Sequence, residues 1–180
     1  MLTTEQNDKN LLDSGFKGPE LSPEMILCLD KYTFDKYPSN ILVKIAKSNE
    51  ELDLWTQVAS ETFQISAADL KEFFEPLIQI AGDIPFLIYY NDIPAATSLV
   101  YCDNDIAGIY AMSTLSQFRR KGLGRAAVQA CLEVAKDHNL SYVVLYTSSM
   151  GQPLYEKMGF KVSQILKEYF FTHTQSEALK

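Results

Sequence analysis

Apolar residues recur along this chain in two rhythms. Alternating or unbroken apolar runs fall at Met25–Leu29, Ile41–Ala46, Ile84–Tyr90, Ile93–Tyr101, Ile106–Thr114, Tyr142–Tyr146 and Val162–Phe171, and each predicts a strand. Asn91-Asp92 joins two of them as a hairpin turn, and Asp103-Asn104-Asp105 turns the chain again. Helical spacing appears between the runs. Leu52, Trp55, Val58 and Ala59 mark one side of a helix over Asn49–Thr62, with Ser48 as its cap and Glu50 and Glu51 in its first turn. Ser66 starts a second helix, with Asp69 three residues on as an imperfect capping box, and Pro76 should kink or end it. Leu123, Ala127, Ala130 and Val134 lie on one face of a longer helix, with Arg125, Gln129, Glu133 and Lys136 elsewhere. A short helix should run from Ser148 or Ser149 to Met158. Thr4–Leu12 reads as a helix stopping at Gly15, and Gly18-Pro19 and Ser22-Pro23 break the chain. The order of elements indicates an α/β (α+β) fold with a mixed, largely antiparallel sheet flanked by helices. Tyr37-Pro38-Ser39-Asn40 reads as a linker, giving an N-terminal extension (1–39), a main domain (40–174) and a tail (175–180), with Thr172–Lys180 frayed.

Composition narrows the function classes. The 180 residues, 47% of them apolar, suit one domain with a core. Sixteen basic against 23 acidic residues give a formal charge of −7, which argues against a general nucleic-acid binder. Cys28, Cys102 and Cys131 are widely spaced and odd in number, and no secretory signal precedes them, which points to a reducing, cytoplasmic setting. No apolar run approaches the ~20 residues of a membrane span. His138 and His173 are the only histidines, so no metal site is expected from them.

One stretch carries candidate chemistry. The strand ending at Thr114 leads through Arg119, Arg120 and Lys121 into Gly122-Leu123-Gly124-Arg125 and the long helix. Two glycines at a helix start let backbone N–H groups approach an anion at the positive end of the helix. The simplest ligand is a pyrophosphate. No G-x-x-x-x-G-K-[ST] string occurs. Gly122 to Ala127 satisfies G-x-G-x-x-G/A, but Ser116–Lys121 separates the strand from the glycines, and the strand Tyr142–Tyr146 ends in Thr147-Ser148-Ser149 with no acid for a ribose. Arg119-Arg120-Lys121-Gly122-Leu123-Gly124 fits R/Q-x-x-G-x-G/A, and Leu154-Tyr155-Glu156-Lys157-Met158-Gly159-Phe160 follows about 30 residues later. Strand, loop, long helix, strand and short helix ending in L-Y-E-x-x-G-F make the chain resemble the GNAT acetyltransferase superfamily.

That resemblance implies acetyl-CoA as cosubstrate and direct acetyl transfer to an amine of a small molecule or peptide. It implies that Met112, Ser113 and Thr114 pair by main chain with the pantetheine arm, one of their N–H groups polarising the acetyl carbonyl. It implies that Arg119, Arg120, Lys121, Gly122, Leu123, Gly124 and Arg125 embrace the pyrophosphate, and that Ser148 and Ser149 offer a polar contact to the cofactor. Tyr155 matches the tyrosine used as general acid toward the coenzyme A thiolate. The helices over 49–78 would wall the acceptor cleft, making Phe63–Phe74 a candidate substrate surface, although most of those aromatics should be core. No carboxylate lies on the strands Ala107–Ala111 or Tyr142–Tyr146, so the general base is unassigned among Tyr110 or Tyr146 with a water, and Asp103 or Asp105. A non-catalytic coenzyme A-binding module is therefore the rival. The three cysteines show no activated context for an acyl-enzyme, the acidic balance favours a cationic acceptor, and homodimerisation stays open. Asp13-Ser14-Gly15-Phe16-Lys17 echoes Lys157-Met158-Gly159-Phe160-Lys161, so the extension is either the remnant of a degenerate GNAT-like half or a coincidence. Met25–Leu29 lying far from any sheet would dispose of the remnant.

Overall fold

Seven strands pair into one sheet in the computed structural model, which describes residues 4–171. In chain order they are β1 (Lys17–Cys28), β2 (Ile41–Ile45), β3 (Ile84–Tyr90), β4 (Ile93–Asp103), β5 (Ile106–Thr114), β6 (Tyr142–Tyr146) and β7 (Lys161–Phe170). Their spatial order is β2-β3-β4-β5-β6-β1-β7, and only β5 and β6 run parallel. The helices are α1 (Thr4–Asp13), α2 (Asn49–Phe63), α3 (Ala67–Pro76), α4 (Leu123–Asp137) and α5 (Gln152–Lys157). The mixed, largely antiparallel α/β architecture agrees with the element order expected above. The tail expected to fray, and His173 with it, lie outside the described residues.

Local signals form the helices and turns where their chemistry requires. Ser48 and Glu51 close a full capping box on α2: the Ser48 hydroxyl accepts from the Glu51 N–H at 3.2 Å, and the Glu51 carboxylate accepts from the Ser48 N–H at 3.1 Å. Ser66 caps α3 alone, accepting from the Asp69 N–H at 3.1 Å. α-Helical bonding stops at Pro76, where a kink or an end was expected, and the chain runs on as a π-helical turn over Leu77–Ala81. Asn91 and Asp92, both at positive φ, make the two-residue turn between β3 and β4. Trp55 is fully buried beneath the sheet, its indole N–H donating to the Ser98 carbonyl at 3.2 Å and its ring meeting Phe74 edge-on.

The N-terminal residues depart from the expectation. β1 begins eight residues before Met25 and passes straight through Gly18-Pro19 and Ser22-Pro23. A register shift spans Pro19, between Lys17 and Glu20, and another falls between Glu24 and Met25, while Pro23 itself pairs in register with Ile165. β1 lies inside the sheet, with β6 on one side and β7 on the other. Tyr37 and its neighbours are likewise no slack linker. Residues 32–37 strap the outer face of α4, where Gln129 takes both backbone groups of Asp35: the Asp35 N–H donates to Gln129 Oε1 at 3.2 Å and Gln129 Nε2 donates to the Asp35 carbonyl at 2.6 Å. The Tyr37 hydroxyl donates to Glu133 at 2.8 Å. Gln129, expected off the apolar face of its helix, is therefore only 2% exposed. The strap satisfies an amide that would otherwise be costly to bury.

Candidate active site

The parallel pair β5–β6 stays in register only from Ile106–Tyr142 to Ile109–Leu145. β5 continues to Thr114 and β6 ends at Tyr146, so the two strands splay and leave the β6-facing edge of residues 110–114 unpaired. On the other side of β5, Thr97 pairs with Ser113 and Leu99 with Tyr110, so Ala111 and Met112 together oppose Ser98. Ala111 takes up the bulge at φ 48°, and its carbonyl accepts the Thr97 hydroxyl at 2.8 Å. The Ser113 hydroxyl is buried against Thr97 at 2.7 Å, so that residue offers the cleft its main chain. A β-bulge beside an unpaired edge re-aims backbone groups at whatever occupies the gap.

A cleft of about 1050 Å³ fills the splay. At one end sits the start of α4. Gly122, at φ 88°, turns the chain into the helix and supplies no side-chain cap. The first intrahelical bond belongs to the Ala126 N–H, so the N–H groups before it are left for a ligand. A Cβ on Gly124 would sit 3.0 Å from Leu154 Cδ2, so the glycine keeps the space between α4 and α5 open. Arg119 Nε donates to the Thr114 carbonyl at 3.3 Å, tying the loop to the strand end. Arg125 forms an ion pair with Asp35 of the strap. At the other end the cleft opens between Thr62 and Phe63 of α2 and the side chains of Tyr110 and Tyr146.

Tyr155 lies in the wall between these ends, 6% exposed. Burial, with a smaller contribution from Cys131, pushes its phenol up to about 12. Cys131 is fully buried, and burial raises its thiol also to about 12. Cys102 is raised by burial as well, and none of the three cysteines lines the cleft.

Of the residues singled out in the sequence, Met112, Ser113, Thr114, Arg119, Arg120, Gly122, Leu123, Gly124, Arg125, Ser148 and Tyr155 come together along this cleft. Lys121 and Ser149 do not line it. The Lys121 ammonium stands 4.8 Å from the Tyr90 ring and 5.9 Å from that of Phe118. Asp105 binds the Ser141 N–H at the far end of β5, and Asp103 shares that turn, so neither reaches the cleft as a base. Phe63 lines the cleft beside Thr62, whereas Phe74 is held against Trp55 and Phe73 lies outside, 66% exposed. Ala111, Thr147 and Met150 line the cleft without having been foreseen. Alanine at positive φ leaves no mark in a sequence. Among the described residues no group of acids, histidines and cysteines could hold a metal, and no helix is long and apolar enough to cross a membrane.

Comparison with known proteins agrees with this geometry. The chain is 28% identical over 101 residues to an uncharacterised N-acetyltransferase of Chlorobaculum tepidum, covering 56% of this chain and 63% of that one. It is 33% identical over 66 residues to an N-alpha-acetyltransferase of Sulfurisphaera tokodaii, covering 34% and 40%. Its fold is similar to that of a GCN5-related N-acetyltransferase from Sphaerobacter thermophilus, with a TM-score of 0.74 at 15% identity over 92% of this chain and 56% of that one. It is also similar to glucosamine-6-phosphate N-acetyltransferase from Arabidopsis thaliana, with a TM-score of 0.60 at 18% identity over 73% and 99%. The matched region spans less than two thirds of the Chlorobaculum, Sulfurisphaera and Sphaerobacter proteins. Residues 48–160 match the acetyltransferase (GNAT) family, and the chain belongs to that family.

Proposed function

We propose that this protein is an acetyl-CoA-dependent N-acetyltransferase that passes the acetyl group directly to an amine of a small molecule or peptide. One observation carries the reading: a single cleft joins an uncapped, glycine-lined helix start to an aromatic mouth, and runs along an unpaired, bulged strand edge between them. The residues present fit coenzyme A. Free N–H groups at Gly122–Arg125 would take its pyrophosphate, with Arg119 and Arg120 adding positive charge. The open edge of Met112–Thr114 would take the amides of its pantetheine arm as an added strand does. When bound, acetyl-CoA supplies an activated acyl group on a thiol leaving group. The chain's own part is to position and to stabilise charge. The backbone at the Ala111–Met112 bulge offers an N–H to the oxygen on which charge builds. Tyr155, protonated across the physiological range, offers its O–H to the departing sulfur. Transfer without an acyl-enzyme is supported by the thiols, none of which lines the cleft. Ser148 is read as a further contact to the cofactor; Lys121 and Ser149 are carried with it only as charge and polarity at the rim.

A reducing, cytoplasmic setting suits three free cysteines. Residues 1–39 are read as the remnant of a second GNAT-like half, supported by the Gly-Phe echo and by a strand, β1, that joins the sheet. The rival reading, a coenzyme A-binding module without turnover, draws on the cleft lining, which holds no aspartate, glutamate or histidine. Calorimetric titration with acetyl-CoA, followed by thiol release in the presence of an amine panel, separates the two. The enzyme gives heat and amine-dependent thiol; a binder gives heat alone; a chain giving neither overturns both.

A further inference from the structure

Register places four polar side chains in one row across the sheet. Ile109 pairs with Leu145, so Tyr110 and Tyr146 leave the splayed strands at the same level, one residue beyond two buried positions and on the opposite face. Glu24 of β1 stands directly across from Tyr146, and Gln164 of β7 directly across from Glu24. Residues opposed in an antiparallel ladder share a face. The row Tyr110, Tyr146, Glu24, Gln164 thus starts at the mouth of the cleft and crosses into the strand contributed by the N-terminal residues.

Glu24 is held as a charged group. Met25 pairs with Val162, which makes Ser163 the extra residue of a bulge, and two residues of β7 therefore face one of β1. The Ser163 hydroxyl donates to Glu24 Oε1 at 2.6 Å and Gln164 Nε2 donates to Oε2 at 3.0 Å. These bonds, Ser163 first, keep its carboxyl below the usual carboxylate range, with the Tyr146 phenol adding to the effect. Tyr146 moves the other way, raised by burial first and then by the charge of Glu24. A carboxylate so satisfied is a weak base and a persistent negative charge. Tyr110 lies over Gly108, where a Cβ would meet its Cε2 at 2.7 Å and its hydroxyl at 2.8 Å, so the glycine leaves room for the ring beside Tyr146. Tyr110 and Tyr146 are 43% and 50% exposed, which presents two aromatic side chains next to one fixed charge. That combination attracts cations.

We propose that Glu24, acting through Tyr146, selects the acceptor, and that the acceptor carries a positive charge beside its reacting amine. The inference rests on the acetyltransfer reading. It completes a cleft whose own lining contains no acid, with a carboxylate from the neighbouring strand. A diamine meets the requirement: one ammonium stays charged toward Tyr146 and Glu24, while the other nitrogen loses its proton to water and reacts.

The test is steady-state thiol release from acetyl-CoA with putrescine and with aminobutanol, which replaces the second ammonium by a hydroxyl. The wild-type chain should have the lower KM for putrescine, and added salt should narrow the difference. Glu24→Gln, which keeps the shape, should raise the putrescine KM about five- to ten-fold, in the range of a partly exposed charge pair. Its kcat and its KM for aminobutanol should stay within about two-fold. Tyr146→Leu, which removes the ring and leaves both β7 hydrogen bonds to Glu24 in place, should weaken the same preference, with the melting temperature within a few degrees of the wild-type value. Equal changes for both amines, or no change in either variant, overturn the inference and leave acetyl transfer standing. Thiol release with neither amine, where another amine of the panel gives it, overturns the inference alone; release with no amine of the panel overturns the acetyltransfer reading as well.

Discussion

Tyr155→Phe tests the chemistry of the cleft most directly. A phenol at about 12 facing a thiol whose ordinary value is about 8.5 would give up its proton against a difference of about 3.5 pH units, roughly 5 kcal/mol uphill. A phenol raised that far by burial is better suited to sharing its proton than to giving it up. What the buried hydroxyl can do is donate a hydrogen bond to sulfur as negative charge grows there. A bond to a charged partner in a site away from water is worth about 1.5–3 kcal/mol. Tyr155→Phe should therefore lower kcat about ten- to hundred-fold. The ground-state thioester carries little charge, so the dissociation constant for acetyl-CoA should not move. Phenylalanine fits the same buried space, and the melting temperature should shift by no more than a few degrees. Thiol release followed with a chromogenic reagent, with calorimetric titration and a thermal melt alongside, reads all three quantities. Unchanged kcat removes Tyr155 from the reaction. A wild-type alkaline limb near the ordinary phenol value of 10.0, lost in Tyr155→Phe, would refute the raised phenol and restore full proton transfer.

Gly124→Glu should abolish acetyl-CoA binding in calorimetry, because its side chain enters the space beside Leu154 and sets a negative charge at the helix start; retained heat would move the pyrophosphate elsewhere. A chain cut to residues 40–180 should show no cooperative melt. It loses Met25, Leu27 and Leu29, all buried, at about 1.5–3 kcal/mol each, or about 5–9 kcal/mol together, which is the scale of a domain's whole stability; a sharp transition would make residues 1–39 an appendage. Asp83 is buried with Oδ1 unpartnered, and burial raises its carboxyl. A raised carboxyl contributes stability that is lost as pH climbs from its unfolded value through the folded one. Asp83→Asn should accordingly raise the melting temperature at about pH 7 and much less at about pH 4; an equal effect at both would show that ionisation is not what costs.

Elements written in consecutive residues were legible. The Ser48 cap, the Asn91-Asp92 turn, the Pro76 stop and the glycine-led start of α4 each depend on neighbours within a turn or two, and the sequence states them outright. Eleven of the candidate residues line one cleft for the same reason: the strand end, the glycine loop and the short helix are each local, and a parallel β5–β6 pair brings them face to face. What stayed hidden depends on pairing at long range. Pro19 and Pro23 read as breaks, yet Pro23 pairs with Ile165 and its carbonyl accepts the Thr147 N–H at 3.0 Å, contacts more than 120 residues away. Gln129 reads only as lying off the apolar face, because nothing near it in the chain announces the Asp35 strap.

The carboxylate proposed for the acceptor side is the same lesson at the point where it matters for chemistry. A search along β5 and β6 finds no acid there, and none exists: both strands turn tyrosine, not glutamate, toward the open face. Charge can reach that face from a third strand if one lies alongside β6. β1 does, antiparallel, in a register that sets Glu24 across from Tyr146 and no other. Because side chains alternate between faces, a slip of one residue would turn Glu24 into the core and bring Met25 out. Met25 is fully buried and is flanked in β1 by Glu24 and Ile26, so burial of that methionine is what holds the glutamate on the cleft side. Met25→Asp would put a charge into the core in the present register, and a slip of one residue would only exchange it for Glu24 while taking that carboxylate away from Tyr146. The packing of one apolar side chain and the placing of one charge are thus a single constraint.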